Sequence, residues 1–385
     1  MSIHAHEATP YWRLSGFYFF YFATLGTFIP YWTLYLQGLG FSAAAIGELV
    51  AIGMATRIVA PAIWGWIADH TGKRMAIVRL ASLLAAVAFA GVFLGSGYWW
   101  LALVMALFNF FWNAALPQFE ATTLNHLGPH THRYSNIRLW GSIGFIVLVV
   151  GLGPVLERFG TGVLPSVLFA LYIAIWLSSL TVPERAAGHL HLDHEPLLQV
   201  LRRPVVAALL VVCFLSQASH GPYYTFYSIY LEAHGYSRTL VGGLWAVGVV
   251  AEIGVFLVMQ RLLPRYGARR LLLGSLALTV LRWALIAGYP DNLVLALFAQ
   301  TLHAASFGVF HAVAIHLIHK FFTGRHQGKG QALYSSLSFG IGGAVGSLYA
   351  GYVWSSIGPA WAYACAALVS AVGLGIAWRG IRVEG

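Results

Sequence analysis

Residues 139–156, LWGSIGFIVLVVGLGPVL, run for eighteen positions without a charge, and stretches of this kind recur along the whole chain. An apolar run of about 18–20 residues is long enough to cross a bilayer as a helix. In hydrocarbon the backbone must satisfy its own polar groups, which leaves helices and closed barrels as spanning structures. Barrel strands alternate apolar and polar residues, and these runs do not alternate. The expected fold class is therefore an all-α, polytopic membrane protein. Composition agrees: of 385 residues 59% are hydrophobic and 9% charged, whereas soluble domains carry about 25% charged residues.

Twelve transmembrane helices fit the chain. In the first half they are expected at 14–37, 43–69, 76–95, 98–123, 136–157 and 162–182. In the second half they are expected at 205–232, 238–262, 270–288, 292–320, 328–354 and 358–379. Turn-forming clusters such as GLGFS, GSGY, GYPDN and SIGP punctuate alternate ends. Basic residues follow the even-numbered helices: Lys73, Arg74 and Arg79; Arg133; Arg185, Arg202 and Arg203; Arg261, Arg265, Arg269 and Arg270; Lys320, Arg325 and Lys329. On the other face only Arg158 and Arg238 appear. The positive-inside rule then places the even-numbered ends and both termini in the cytoplasm. The net charge of +10 is a topology signal, and no nucleic-acid partner is expected.

The longest polar interruption, PERAAGHLHLDHEPLLQVLRRP, separates two sets of six helices. The expected units are 1–183 and 204–385, joined by a cytoplasmic linker at 184–203. His189, His191 and His194, with Asp193 and Glu195, could in principle hold a metal, but an exposed linker needs polar residues anyway. No metal and no cofactor is expected. LLQVLRR at the end of the linker reads as a short amphipathic surface helix. Cys213 and Cys365 lie in apolar segments and read as free thiols, and the polar start reads as leading straight into a span, with no cleavable leader.

The halves are copies. A shift of 195 residues lays LYLQGLGFSAAAIGEL from Leu34 on IYLEAHGYSRTLVGGL from Ile229, and pairs Gly53 with Gly248 and Gly72 with Gly267. RLWGSIGF from Arg138 overlays ALYSSLSF from Ala332. Six spans separate the copies, so both bundles share one orientation. Parallel bundles related by an axis along the membrane normal are a transporter architecture, with the substrate near the midplane between them. Small residues, as in SFGIGGAVGSLYAGY, allow the close helix packing that such bundles need.

GWIADHTGKR, at 65–74, resembles the signature of the major facilitator superfamily between its second and third helices, through Gly65, Asp69, Gly72, Lys73 and Arg74. The resemblance implies a conformational latch, in which a carboxylate and basic residues pair across helix ends in one access state and part in the other. The second copy, QRLLPRYGARR, keeps Gly267 but has Pro264 in place of Asp69, so the latch carboxylate is expected only in the first half. IPYWTLYLQGLGFS, RLWGSIGF, HGPYYTFYSIYLEAHGYS, LWAVGVVAEI, LRWALIAG, LHAASFGVFHA and QALYSS together resemble the phenylpropionate permease family, a bacterial branch related to lactose-permease-like proton symporters. That resemblance implies a monomeric, twelve-helix proton symporter of the bacterial inner membrane. Fold likeness does not fix the cargo.

Charges inside the spans point to the site. A charge at the bilayer centre costs about 2.5–3.5 kcal/mol even on a lenient scale. Arg57 stands about twelve residues, roughly 18 Å, from the cytoplasmic end of its helix, and Glu252 occupies the equivalent depth in the second half. Arg57 suits a substrate carboxylate, which its paired N–H groups can grip. Glu252 suits a proton taken and released in each cycle. The structural alternative is a fixed Arg57–Glu252 pair between the halves. Arg282 and His303 lie inside the ninth and tenth helices, and His311 follows His303 by about two turns; all three are candidates for proton coupling. In the lactose-permease-like proteins proton coupling involves the same residue types in the second half.

Glu120 and Arg138 stand at similar depths on the fourth and fifth helices. The resemblance implies substrate binding there, and a structural hairpin bridge is the alternative. His220 adjoins a Gly-Pro pair that can bend the seventh helix, where His220 and Tyr223 could answer the carbonyl that Pro222 frees. It is also a candidate substrate contact. Tyr18, Tyr21, Trp112, Tyr223, Tyr224, Tyr227 and Trp245 are candidate cavity walls. Glu48 and Glu232 stand near the external ends, where solvent contact is expected. No nucleophile–base pair or phosphate-binding glycine loop marks an enzyme. The leading expectation is a proton-coupled importer of a small organic acid, plausibly an aromatic carboxylate. A sugar or nucleoside symporter and a proton-driven exporter are the alternatives.

Overall fold

The computed structural model of the chain describes residues 9–185, 197–323 and 326–382. Long apolar runs without internal stops become long helices, and the described residues arrange them in two sets of six. In the first bundle they are α1 (Tyr11–Gly38), α2 (Ala43–Thr71), α3 (Arg74–Phe93), α4 (Tyr98–Leu127), α5 (Tyr134–Phe159) and α6 (Thr161–Thr181). In the second they are α7 (Pro204–Ala233), α8 (Arg238–Tyr266), α9 (Ala268–Gly288), α10 (Leu293–Phe321), α11 (326–356) and α12 (Pro359–Gly380). Leu197–Leu201 forms the short helix expected before α7. The histidines 189, 191 and 194 lie outside the described residues.

The duplication is visible in what each shared residue does. Ser42 and Ser237, 195 apart, both cap a helix, accepting from Ala45 N at 3.3 Å and Leu240 N at 3.2 Å. Just before them, Gly40 and Gly235 turn the chain with φ of +89° and +82°, a region that side chains with a Cβ avoid. Packing repeats in the same way. In the first bundle α1 packs on α5 and α6, α2 on α4, and α3 on α4 and α6. In the second, α7 packs on α11 and α12, α8 on α10, and α9 on α10 and α12.

The bundles meet chiefly through α2 against α11 and α5 against α8, with α1 against α7 between them. Gly47 and Gly242, again 195 apart, sit at these two crossings. A Cβ on Gly47 would stand 2.6 Å from the Ser347 carbonyl oxygen, and one on Gly242 would collide with the Val149 carbonyl oxygen. Both contacts lie at the end opposite the termini, here the far end; the end carrying the termini and most basic residues is the basic end. Cross-bundle hydrogen bonds among the described residues gather at the far end. Ala44 N donates to Ser355 Oγ at 3.0 Å, Arg238 to the Leu156 carbonyl at 2.8 Å, and Thr239 N to Glu157 at 3.3 Å. Glu48 accepts from Tyr98 of its own bundle and from Tyr352 of the other. Glu48 and Glu232 keep partial solvent contact, as expected near the external ends, but each also has protein partners: Glu48 joins the bundles, and Glu232 pairs with Arg238. The protein is closed at its far end.

Three helices of the second bundle depart from uniform α geometry. α7 breaks at His220, between Pro204–Ser219 and Gly221–Ala233, because Pro222 has no N–H and crowds the preceding turn. α10 and α11 widen to π geometry over Ala304–Val309 and Ser336–Gly342. Such widened turns are frequent at functional sites.

Candidate functional site

The first-bundle charge faces a cavity. Leu25, Phe28, Ile29, Trp32 and Thr33 of α1, Val50, Gly53, Met54 and Arg57 of α2, Met105, Asn109 and Trp112 of α4, and Tyr224 of α7 enclose an empty volume of about 470 Å³, its open side included. The wall is made by helix geometry: Gly53 and Arg57 are four apart and so share one face of α2. Gly53 lets α4 approach, since a Cβ there would stand 2.8 Å from the Asn109 amide nitrogen. Asn109 Nδ2 donates to the Met105 carbonyl at 2.9 Å. Arg57 is half-buried and forms no hydrogen bond or ion pair of its own among the described residues. The phenols Tyr21 and Tyr224 are its electrostatic neighbours. No carboxylate lines the cavity.

The equivalent charge of the second bundle is engaged. Glu252 lies 3.4 Å from His303 Nε2, so the expected alternative of an Arg57–Glu252 pair is not what forms. Gly308 of α10 allows the approach: a Cβ there would stand 3.3 Å from Glu252 Cγ. Behind His303 lies Arg282, fully buried. Its guanidinium donates to the Ala299 carbonyl at 3.1 Å, His303 Nδ1 at 3.0 Å, Ser306 Oγ at 2.9 Å and Gln300 Oε1 at 3.5 Å. It also lies against the rings of Tyr223, at 4.2 Å, and Trp283, at 4.6 Å. Every direct partner of this buried cation is neutral, and the nearest carboxylate stands beyond one imidazole.

Phe307 stacks between His303, at 5.5 Å, and His311, at 5.7 Å, the three rings lying within about 10° of parallel. The i, i+4, i+8 spacing on one face of α10 produces this pile. His311 Nδ1 lies 2.8 Å from the Tyr334 hydroxyl of α11. Glu252 is an electrostatic neighbour of His311 and of Arg138, a first-bundle residue. Glu120 and Arg138 are electrostatic neighbours, but no ion pair closes between them among the described residues. Glu120 accepts from the Tyr134 hydroxyl at 3.2 Å, and Arg138 lies on the Phe22 ring at 3.6 Å.

The aromatic candidates divide. Trp112 and Tyr224 line the cavity, and Tyr21 lies beside Arg57. Tyr18 turns into the first bundle, toward Thr123 at 3.3 Å. Tyr223, Tyr227 and Trp245 pack together inside the second bundle, Tyr223 donating to Gln300 at 2.9 Å and Trp245 to Ser228 at 3.0 Å. His220 is fully buried, away from the cavity, and binds the Ser216 carbonyl at 2.8 Å through Nδ1. Its ring therefore answers the carbonyl of Ser216, one turn before the break, and not that of Ala218, which Pro222 frees; the Tyr223 hydroxyl answers neither. Phe28, Trp32 and Asn109 were missed as wall residues. Asn109 carried a signal, being an amide within an apolar run; the aromatics did not stand out from the chain's many others.

At the basic end, Gly72 closes α2 with φ +68°, and Gly267 closes α8 with φ +76°. Asp69 pairs with Arg74 at 2.7 Å, and Arg74 also donates to Gln118 at 2.7 Å. Gly65 faces Gln118, and Lys73 is exposed. The pairing stays within the first bundle.

Residues 11–365 match the family described as the MFS_1 like family. The chain is 30% identical to the probable 3-phenylpropionic acid transporter of Escherichia coli (strain K12), over 93% of this chain and 95% of that protein. It is 25% identical to the maltose permease of Geobacillus stearothermophilus, over 88% of this chain and 86% of that one. The crystal structure of the nucleoside transporter NupG superposes with a TM-score of 0.82 at 17% identity, covering 97% of this chain and 99% of that one.

Proposed function

We propose, from the premise that the chain belongs to the MFS_1 like family and is a multi-pass membrane transporter of a small molecule, that it is a proton-coupled symporter of an aromatic carboxylate. It works by alternating access in a bacterial inner membrane, as a monomer, with 1–183 and 204–385 as the moving bodies. The observation that carries this reading is Arg57, an unpaired guanidinium in a cavity walled by Phe28, Trp32, Trp112 and Tyr224. A phenyl ring fits such walls, and a carboxylate fits paired N–H donors. The Escherichia coli relative, a probable 3-phenylpropionic acid transporter, is named for a cargo of this chemistry. The wall is mostly apolar and aromatic, with Arg57 as its charged group and no carboxylate, which suits an aromatic anion.

Binding to Arg57 neutralises a cation, and protonating Glu252 neutralises an anion. Both events lower the charge that the closing bundles must desolvate, which is a physical basis for coupling them. Arg138 of the first bundle is an electrostatic neighbour of both Glu252 and Glu120, which would let the first bundle sense the protonation state of the second. With the basic end in the cytoplasm, closure at the far end makes this the inward-facing state. The Asp69–Arg74 pair is then the latch held open within its own bundle.

The test is uptake into proteoliposomes under an imposed pH gradient, screened across aromatic acids, sugars and nucleosides. The reading expects accumulation of 3-phenylpropionate-like acids and not of sugars or nucleosides. A sugar or nucleoside accumulating in their place overturns it.

A further inference from the structure

We infer that the two histidines of α10 have different tasks: His311, held by Tyr334, carries the coupled proton between Glu252 and the basic end, while His303 is a positioning residue that stays neutral. The inference rests on the proton-symport reading and assigns the proton a route that reading leaves open. Arg282 has no acceptor atom and always presents N–H groups. The His303 nitrogen 3.0 Å from it must therefore be the unprotonated one, so Nε2 carries the hydrogen and points it at Glu252, 3.4 Å away. A second proton on His303 would sit on Nδ1, against the guanidinium, with two donors and two positive charges facing each other. Its role is to offer one fixed donor to the carboxylate.

His311 meets a different partner. The Tyr334 hydroxyl, 2.8 Å from Nδ1, can either donate or accept. When the phenol oxygen accepts from Nδ1–H, Nε2 holds a lone pair that takes one proton, giving an imidazolium that keeps its bond to Tyr334. The same proton then leaves Nε2 for water, restoring the neutral ring. Burial opposes the imidazolium first of all, Glu252 from α8 stabilises it, Arg138 from α5 opposes it and favours release, and Tyr334 from α11 serves both forms. His311 is half-buried, and it lies two turns beyond His303 toward the basic end. The π geometry of α10 and α11 lies beside this pair: Phe307 and Phe339, one from each widened stretch, both pack on the His311 ring.

The test compares His311→Asn and His311→Gln with His303→Gln and His303→Leu in proteoliposomes. Asn at 311 places an amide where Nδ1 meets Tyr334, and Gln places one where Nε2 lies; neither takes a proton. Both variants should lose at least ~10-fold in pH-gradient-driven accumulation, the scale of a removed proton carrier, while substrate counterflow stays measurable. His303→Gln can accept from Arg282 and donate to Glu252, so it should retain most accumulation, whereas His303→Leu should lose it. Accumulation retained by either His311 variant, or lost by His303→Gln with counterflow intact, overturns the inference. Loss of counterflow in both His311 variants also overturns it, by making His311 structural. Absence of gradient-driven accumulation in the unsubstituted protein would instead count against the symport reading itself.

Discussion

Arginine at 57 and glutamate at 252 occupy equivalent places in a duplicated chain, and the structure gives them unlike surroundings. Arg57 faces an aromatic cavity with no partner of its own, while Glu252 is met by His303 with Arg282 behind it. A free guanidinium in a water-poor cavity gains about 1.5–3 kcal/mol from each hydrogen bond to a carboxylate. Arg57→Lys removes the paired geometry, so the affinity for an aromatic acid should fall roughly 10–100-fold. Binding to detergent-purified protein, titrated with 3-phenylpropionate, checks this; unchanged affinity would place the carboxylate elsewhere. Both charges were legible in the sequence because an ionised residue deep in an apolar run demands a reason. The second role of Glu48 was not legible because its partner Tyr352 is 304 residues away, and one tyrosine among nineteen carries no signal. The role of His220 was half legible: Pro222 announced a break, but not which carbonyl the His220 ring would answer.

Elements of the two bundles obey the same local rules, which is why their positions could be read. Ser42 and Ser237 cap, Gly40 and Gly235 turn, and Gly47 and Gly242 let a helix of one bundle touch the other. The glycine pair makes a test at this scale. Gly47→Leu places a branched side chain against the Ser347 carbonyl and Gly351, where even a Cβ has no room. Far-end closure should become unfavourable, so spin labels on the far ends of α2 and α11 should report a longer mean distance than in the unsubstituted protein. An unchanged distance distribution would mean that the α2–α11 crossing is not the far-end gate. The π turns of α10 and α11 were not legible, because an i→i+5 bond needs no particular residue type and leaves no mark on hydrophobic periodicity.

At the scale of the whole molecule, the fold has two similar bundles that meet at the far end, with unlike chemistry in each. The first offers a cation and aromatic walls; the second offers a carboxylate tied to a buried arginine through a histidine. Two sets of six helices and their common orientation followed from run lengths and the repeat. The closed end did not, because one sequence must support both access states and the choice depends on a few contacts such as Glu48–Tyr352. The central claim is that transport moves a proton through Glu252 whenever it moves an aromatic acid. Its most direct test is the internal pH of proteoliposomes when 3-phenylpropionate is added outside without an imposed gradient. The account predicts that vesicles with the unsubstituted protein acidify faster than protein-free vesicles, and that Glu252→Gln vesicles, still measurable in counterflow, show no such excess. Equal acidification by the Glu252→Gln protein would contradict it.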